Sequence, residues 1–383
     1  MRSRYSTPMD PRAIRNRRDL AQHLQAQMVA ARTPWGVEDG EVETEGRTKV
    51  KTYLLEAHTN IENPIETLEQ IASKLGLRVQ PTDDHDLYRL EEDGYDFWCD
   101  TSMGRFWRVH TVAEVGVSDT LRDRLVRSTP LFDNVWLPPR YLETLAERTK
   151  AHLQTFSLSH DRRVLHDEGA EVSDFDYVTL RLWASRAERT LAKLRDSKVF
   201  PRGVSIRNVQ LRSGSWEPDE GFCVAEYFHH GKVTASGTSF DEHTRLLVDV
   251  LRDYRKLIEG IEERYAIGFA TQNDGCTQLS GDPIVIQMQW SVDDLEFAVR
   301  RMFTSVEPFR LWALPEKIGK DRYRAYAVDL HVGNTLTFEV GRDRIVILLP
   351  RGTCGNTVIR FLSSLSYHVD SDYRSNVSEE TLM

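Results

Sequence analysis

Three histidines are the side chains whose types and spacing best suit metal chemistry. His229 and His230 are adjacent, and His243 follows in the first turn of a predicted helix that also carries Asp241 and Glu242. Imidazole nitrogens and carboxylate oxygens bind divalent ions, and a hairpin leading into this helix could bring the histidines together. A metal-assisted hydrolase centred on them is therefore one hypothesis. The alternative is a turn or edge-strand role for His229 and His230, because adjacent residues of a strand point to opposite faces.

A second candidate site is the segment from Arg105 to His110, in which basic and aromatic side chains alternate along a predicted strand. Arg105 and Trp107 share one face of this strand, and Arg108 lies on the other. An aromatic ring beside arginines can stack on a base while the arginines neutralise phosphate, as in proteins that bind single strands. The structural alternative is a strand with one buried face, from which the arginines extend to water.

The N-terminus supplies a third candidate, a basic arm. An acidic run from Glu38 to Glu45 follows it, and the apolar residues of the arm recur with the spacing of a helix that starts near Pro11. Its apolar face, within residues 11–31, could bind a protein partner or a second copy of the chain. Alternatively, the helix is solvated or packs on its own chain. The arginines predicted to contact nucleic acid or a partner are Arg12, Arg15, Arg17 and Arg18.

Composition limits the possible functions. Asp and Glu number 59 against 50 Lys and Arg, a formal net charge of −9, so a nucleic-acid contact would require a local basic face. The sequence lacks the phosphate-binding, zinc-helix, nucleophile-elbow and dinucleotide motifs. We therefore favour a non-enzymatic protein and predict no cofactor. The cysteines are widely spaced and predict buried free thiols rather than a disulfide framework: Cys99, Cys223, Cys276 and Cys354.

The regular pattern begins after residue 48. Lys51 to His58 is typical of a strand, and the Asn63-Pro64-Ile65-Glu66 segment contains an N-cap, a first-turn proline and a capping-box carboxylate. Gly76 predicts the end of this helix. Four short strands and a helix capped by Ser118 follow. The predicted order is β-α-β-β-β-β-α.

The C-terminal region repeats this order. A strand from Ile284 to Trp290 precedes a helix cap formed by residues 291–294, and four strand patterns follow up to Leu349. A helix from about Asn356 to Leu365 completes the unit. The two ends of the chain are therefore predicted to be an internal repeat.

Between these modules we predict two long amphipathic helices around a three-stranded meander. The first helix includes Tyr177, Trp183 and Leu194, and the second begins at the capping box that starts with Ser239. The fold class is α+β, with antiparallel sheets backed by helices. The predicted divisions are a basic helix with an acidic linker (1–47), an N-terminal module (48–148), a middle module (149–275), a C-terminal module (276–368) and a disordered tail (369–383).

The doubled element order resembles the half-domain of the TATA-binding-protein-like fold, over roughly residues 49–130 and 282–366. In that family, helices cover one side of a curved antiparallel sheet, and the concave face of the sheet lies in the DNA minor groove and inserts phenylalanines. No position of this sequence matches such a phenylalanine pair, and the middle module is an addition to that fold. The resemblance implies a free sheet face that contacts nucleic acid.

No stretch of the sequence is long and apolar enough to span a bilayer, and the N-terminus does not have the pattern of a secretory signal, so we expect a cytoplasmic protein with no membrane contact. The preferred interpretation is a non-enzymatic binding protein that engages nucleic acid or a partner protein through an antiparallel sheet face and the basic arm. The alternatives are the metal-assisted hydrolase and a structural or assembly subunit that docks through its N-terminal helix.

Overall fold

The computed structural model describes residues 8–31, 49–58, 63–163, 177–183, 189–190, 193, 204–217, 220–271, 277–289, 292 and 294–377. Contacts between residues divide the chain into two units. The N-terminal unit comprises Met1–Val135, Leu145–Gln154 and Val209–Leu251, and the C-terminal unit comprises Trp136–Thr144, Thr155–Asn208 and Arg252–Met383. Each unit contains antiparallel sheet and helices, which confirms the α+β fold class. None of the helices in the described ranges has the length and apolarity needed to cross a membrane.

The helices of the described residues are a short 3-10 turn at Pro11–Ala13 and α1 (Arg17–Ala30), α2 (Pro64–Leu75), α3 (Val115–Ser128), α4 (Pro139–Arg148), α5 (Phe240–Arg264), α6 (Leu295–Met302) and α7 (Gly355–His368). The strands up to α5 are β1 (Val50–Ala57), β2 (Arg78–Pro81), β3 (Leu87–Glu92), β4 (Tyr95–Met103), β5 (Phe106–Thr111), β6 (Phe132–Asn134), β7 (His152–Asp161), β8 (Tyr177–Trp183), β9 (Ser205–Gly214), β10 (Phe222–Phe228) and β11 (Lys232–Gly237). The strands after α5 are β12 (Ala266–Thr271), β13 (Thr277–Ser280), β14 (Ile284–Gln287), β15 (Leu311–Trp312), β16 (Glu316–Gly319), β17 (Arg322–Asp329), β18 (Thr335–Gly341), β19 (Arg344–Pro350) and β20 (Arg374–Ser375).

The N-terminal unit contains the predicted β-α-β-β-β-β-α module. Its strands lie in the order β2-β3-β4-β5-β1, all antiparallel, and the sheet continues past β1 to β11 and β10. On one face, Tyr53, Trp107 and Phe97 belong to a buried core that α2 and α3 cover with Leu68 and Leu121 among others. The first strand of the module therefore pairs with the last.

Helix α2 shows how closely local sequence sets an element. It begins at Pro64, directly after the predicted N-cap Asn63, and ends before Gly76, whose φ of 74° places it in the left-handed region. Glycine adopts this conformation without a steric cost. The Asn63 amide donates a hydrogen bond of 2.5 Å to Glu66 Oε1, so the two ends of the predicted capping box contact each other through their side chains.

The C-terminal unit repeats the same topology. Its strands lie in the order β15-β17-β18-β19, and β14 pairs with β19, so the first strand again lies beside the last. The edge position that β2 fills in the first module is divided here between β15 and β16, which both pair with β17. Pro315 lies between these two strands and has no N–H to donate to a sheet. The topology thus supports the predicted internal repeat.

Helices cover one face of the C-terminal sheet. Phe338 of β18 contacts the rings of Phe303, just after α6, and Phe361 of α7, at centroid distances of 5.1 Å in both cases. Ala325 and Ile347 are fully buried on the same face. This alternation of buried and exposed residues is the period-two pattern of a sheet with a single covered face.

Three predicted elements differ from the structure. The helix predicted through Tyr177 and Trp183 is instead strand β8 at Tyr177–Trp183, which pairs antiparallel with β7; Leu194 lies outside the described residues. Val178 and Thr179 are β-branched and favour a strand. The predicted disordered tail contains β20, which pairs with β14, and the buried Val377. The N-terminal helix begins at Arg17 rather than near Pro11, because Asn16 accepts a hydrogen bond from Asp19 N and forms the N-cap.

The division into modules also differs from the sequence interpretation. Residues 149–154 and 209–251 of the predicted middle module belong to the N-terminal unit, and residues 155–208 and 252–275 belong to the C-terminal unit. The acidic run of the predicted linker, from Glu38 to Glu45, lies outside the described residues.

Candidate nucleic-acid interface

The second face of the C-terminal sheet is open to solvent in the described part of the chain. Tyr326 is 59% exposed, Trp312 48% and Leu348 37%. We call this surface the outer face. It consists of Trp312 on β15, Glu316 on β16, Arg322, Arg324, Tyr326 and Val328 on β17, Thr335, Thr337 and Glu339 on β18, and Arg344, Val346 and Leu348 on β19.

Strand register arranges the outer face in rows. Tyr326 lies opposite Thr337, which lies opposite Leu348, so these three side chains form one row across three strands. Trp312 lies opposite Val328. Because Val328 follows Tyr326 by two residues, the Trp312 and Tyr326 rings occupy diagonal neighbouring positions on the same face. The aromatic rings therefore form a single patch.

Arginines lie beside this patch. Arg322 and Arg324 both contact Glu339, at N–O distances of 2.9 and 2.6 Å. Hydrogen bonds and the charge of Arg324 lower the pKa of Glu339, and the same bonds, with one to Tyr326, raise the pKa of Arg324. Glu339 and Arg324 are therefore both charged at neutral pH, and the Glu339 carboxylate is shared by two guanidinium groups. Arg344 is exposed at the start of β19.

A buried ion pair fixes the strands beneath the outer face. Asp329, the last residue of β17, pairs with Arg360 of α7, and both side chains are fully buried. Thr357 donates a hydrogen bond to the same carboxylate, and Arg360 Nε donates to the carbonyl of Phe309 at 3.0 Å. Because Leu311 of β15 pairs with Asp329, this network holds the β15 and β17 strands that carry the aromatic rings.

Comparison with known proteins gives a family but no activity. A family model described as MJECL33-like protein matches residues 9–382. The chain belongs to this family. It is also similar to the uncharacterized protein MJECL33 of Methanocaldococcus jannaschii, with 25% identity over 373 residues, which cover 88% of each chain. The match to the MJECL33-like family spans both repeats. Because a shared family or fold does not fix an activity, the function of this chain has to be inferred from the chemistry of its sites.

The predicted binding strand of the N-terminal unit is not a free surface. Trp107 is 1% exposed within the core, and Arg108 is 6% exposed. Arg108 donates a hydrogen bond to Asp100 Oδ2 at 2.7 Å, and Arg105 donates one to Glu56 Oε1 at 2.6 Å. The basic and aromatic residues here alternate along a strand whose two faces are both covered. The structure therefore does not support the interface predicted from Arg105, Trp107 and Arg108.

The basic arm lies against its own unit. Ile14, Leu24 and Met28, the apolar face expected to bind a partner, are at most 5% exposed. The Arg17 guanidinium group contacts three carboxylates, with Nε 3.2 Å from Asp100 Oδ2 and longer contacts to Asp84 and Asp86, and the Arg17 backbone N–H donates to Asp84 Oδ2 at 2.6 Å. The apolar face of residues 11–31 is therefore occupied within the chain. The other three arginines predicted as contacts are exposed: Arg12, Arg15 and Arg18.

The three histidines of the metal hypothesis have different surroundings. His229 and His230 form the turn between β10 and β11, half-buried, with ring centroids 4.8 Å apart. His243 is fully buried in α5. Among the described residues, these three do not form a group whose ligand atoms all lie within 4.8 Å of one another. The geometry gives the metal site no support.

His243 instead belongs to a buried network that sequence reasoning missed. Thr52 Oγ1 lies 2.9 Å from His110 Nδ1 and 3.0 Å from His243 Nε2. Burial lowers the pKa of both histidines to about 3, with Arg108 adding to the effect, so both rings are neutral at physiological pH. No local signal connects β1, β5 and α5, because these residues are far apart in sequence.

The outer-face residues were also missed, although a signal for them exists. In the β17 sequence, Arg322, Arg324 and Tyr326 alternate with Tyr323, Ala325 and Ala327. Strict alternation of small or apolar residues with polar or aromatic ones is typical of a half-exposed strand. Exposure of Tyr326 could therefore have been predicted, but its position next to Trp312 depends on strand pairing.

Proposed function

We propose that this protein binds nucleic acid through the outer face of its C-terminal sheet. The observation that carries the proposal is a helix-backed antiparallel sheet whose open face presents exposed Tyr326 and Trp312 beside three arginines. Sheets that bind nucleic acid commonly combine aromatic rings, which contact bases, with cationic side chains, which contact phosphate.

The local charge supports an anionic ligand. The chain as a whole has a formal net charge of −9. The outer face differs in sign, because it holds Arg322, Arg324 and Arg344 against two carboxylates, Glu339 and Glu316. A local basic face on an acidic protein directs a polyanion to that face, since the remaining surface repels it. The exposed arginines of the N-terminal arm remain a predicted, secondary contact.

Salt-dependent oligonucleotide binding tests the proposal. We would measure the affinity of labelled oligonucleotides for the full chain between about 50 and 200 mM salt. In the variant Arg322→Gln/Arg344→Gln we expect weaker binding and a shallower slope of log affinity against log salt, by about 1.4 for a single strand, because each lost phosphate contact removes about 0.7.

The control variant is Arg78→Gln/Arg300→Gln. These arginines have side chains 76% and 71% exposed, and each lies near a glutamate, as Arg322 does. They lie on β2 and α6, away from the outer face, so the control should keep the wild-type affinity and slope. Absence of binding at low salt, or equal losses in both variants, would end the proposal.

A partner protein is the second candidate ligand. Leu314, 76% exposed, and Leu348 extend the aromatic patch with aliphatic surface, which suits a protein interface better than a phosphate backbone. Loss of a stable complex with a cellular protein on Leu348→Ser, together with absent oligonucleotide binding, would favour this candidate.

We also propose a cytoplasmic location. The buried free thiols of Cys99, Cys223 and Cys354 agree with a reducing compartment, where disulfides are rare. Fractionation of cells that express the full chain would test this, and recovery outside the cytoplasmic fraction would contradict it.

A further inference from the structure

The outer face bears two large rings that the fold leaves about half exposed. Trp312 and Tyr326 are 48% and 59% exposed, whereas Trp98 and Trp107 of the other repeat are 0% and 1% exposed. A folded chain gains stability from aromatic residues by burying them. Exposed rings grouped on one face are therefore available to a ligand.

We infer that the ligand is single-stranded nucleic acid, with consecutive bases stacked on Trp312 and Tyr326. This inference rests on the proposed function and specifies its substrate class. A ring can stack only on a base whose face is accessible. In a duplex the faces of the bases are covered by their neighbours, and only edges and phosphates are presented to a protein.

Strand register gives the spacing of the two stacking positions. Trp312 is opposite Val328, and Tyr326 precedes Val328 by two residues, so the two side chains are diagonal neighbours. Diagonal neighbours on one sheet face lie roughly 7–8 Å apart, within reach of long side chains. This separation is large enough for each ring to take its own base.

The arginines continue the same line along β17. Arg324 and Arg322 follow Tyr326 at successive outward positions towards the start of the strand. Each step of two residues is roughly 6.6 Å. A strand of nucleic acid that lies along β17 would thus contact rings at one end of β17 and guanidinium groups at the other. Thr337, opposite Tyr326, offers a hydroxyl to a base edge.

The exposed rings have a matched control on the other unit. Trp216 is 55% exposed and lies after β9 in the N-terminal unit, where Arg212 Cζ is 4.0 Å from its ring centroid. It shares the exposure and the neighbouring arginine of the outer-face rings but lies outside the outer face. Its removal should therefore leave nucleic-acid binding unchanged.

The test compares ring-deleting and ring-keeping variants of the full chain. Affinity would be measured for a labelled oligo-thymidylate or oligo-uridylate strand and for a mixed-sequence duplex of equal length. Trp312→Ala and Tyr326→Ala should each weaken single-strand binding by about fivefold to hundredfold, the range found for loss of one base–aromatic stack. Tyr326→Phe and Trp312→Phe keep a ring and should stay close to wild type, as should Trp216→Ala.

Fluorescence gives a second readout. The single strand should quench tryptophan emission in the wild type, and this quenching should disappear in Trp312→Ala but persist in Trp216→Ala. One outcome would overturn this inference and leave the proposed function standing. In that outcome the duplex binds as tightly as the single strand, neither alanine variant changes binding, and Arg322→Gln/Arg344→Gln still weakens it. No binding of any oligonucleotide at low salt would overturn both.

Discussion

The two repeats have the same strand order but differ in how many sheet faces are covered. In the N-terminal unit, α2 and α3 cover one face, and α1 together with the first half of α5 covers the other. In the C-terminal unit, α6 and α7 cover one face, and the outer face is exposed in the described residues. The same topology thus forms a closed layer in one repeat and an open platform in the other.

The closed face of the N-terminal sheet required its polar residues to be paired. Asp100 accepts hydrogen bonds from Arg17, Arg108 and Ser102. Burial acts to raise the pKa of Asp100, but the charge of Arg108 and these hydrogen bonds outweigh it and lower the pKa to about 2. Buried charges are tolerated only with such partners. On the outer face of the C-terminal unit, the Arg322 guanidinium group remains 65% exposed and keeps its hydration.

Tryptophan removal should give the largest contrast between the two sheets. Trp107→Ala deletes a buried ring that contacts Phe132 and donates a hydrogen bond to Gly104, so we expect a loss of about 3–5 kcal/mol in the free energy of unfolding. Trp312→Ala removes a half-exposed ring and should change it by no more than about 0.5 kcal/mol. Urea denaturation of both variants measures the difference, and equal losses would show that the outer face is part of the packed core.

Loss of one hydroxyl between the buried histidines should have a smaller effect. Thr52→Val keeps the side-chain shape but leaves His110 Nδ1 and His243 Nε2 without the partner they share. We expect the free energy of unfolding to fall by about 1–3 kcal/mol, the cost of unsatisfied buried polar groups. Thr52→Ser retains the hydroxyl and is the control. A valine variant as stable as the wild type would contradict the role assigned to this network.

The same histidines should make stability depend on pH. Their folded pKa values are about 3, below the usual value of about 6.5, so between these limits the unfolded chain binds protons that the folded chain does not. The free energy of unfolding should therefore fall as pH drops below about 6.5, by up to about 1.4 kcal/mol per pH unit for each histidine.

Denaturation at pH 7 and pH 5 measures this dependence. The variant His243→Gln should lose part of the pH dependence, because one of the two titrating rings is gone. His85→Gln is the control, since its side chain is 82% exposed. An unchanged slope in His243→Gln would show that other groups cause the dependence.

Local elements of both repeats could be predicted because their signals lie within a few residues. The Asn63 to Gly76 helix, the Ser239 capping box and the alternation along β17 each depend on neighbours in sequence. Glu242 N does donate to Ser239 Oγ, at 3.1 Å, as the capping box predicts. The element order of the two modules followed from these signals.

The failed site predictions share one cause. Aromatic and basic residues alternate along the strand of Trp107 and Arg108 much as they do along the strand of Tyr326 and Arg324. Period-two alternation indicates only that the two faces of a strand differ, not which face is buried. Nothing near Arg108 in sequence indicates that it will share the Asp100 carboxylate with Arg17 or that α1 will cover it. The strand interpreted as an interface was therefore the covered one.

The sequence alone determined the α+β class, the doubled strand–helix order and the bounds of well-capped helices such as Pro64–Leu75, because hydrophobic period and capping act over one or two turns of chain. Tertiary structure alone decided which sheet face is buried, which arginines are paired and which exposed rings lie at neighbouring positions on one face. Those outcomes depend on contacts between residues far apart in sequence, such as Thr52 with His243 and Trp312 with Val328, which no local pattern encodes.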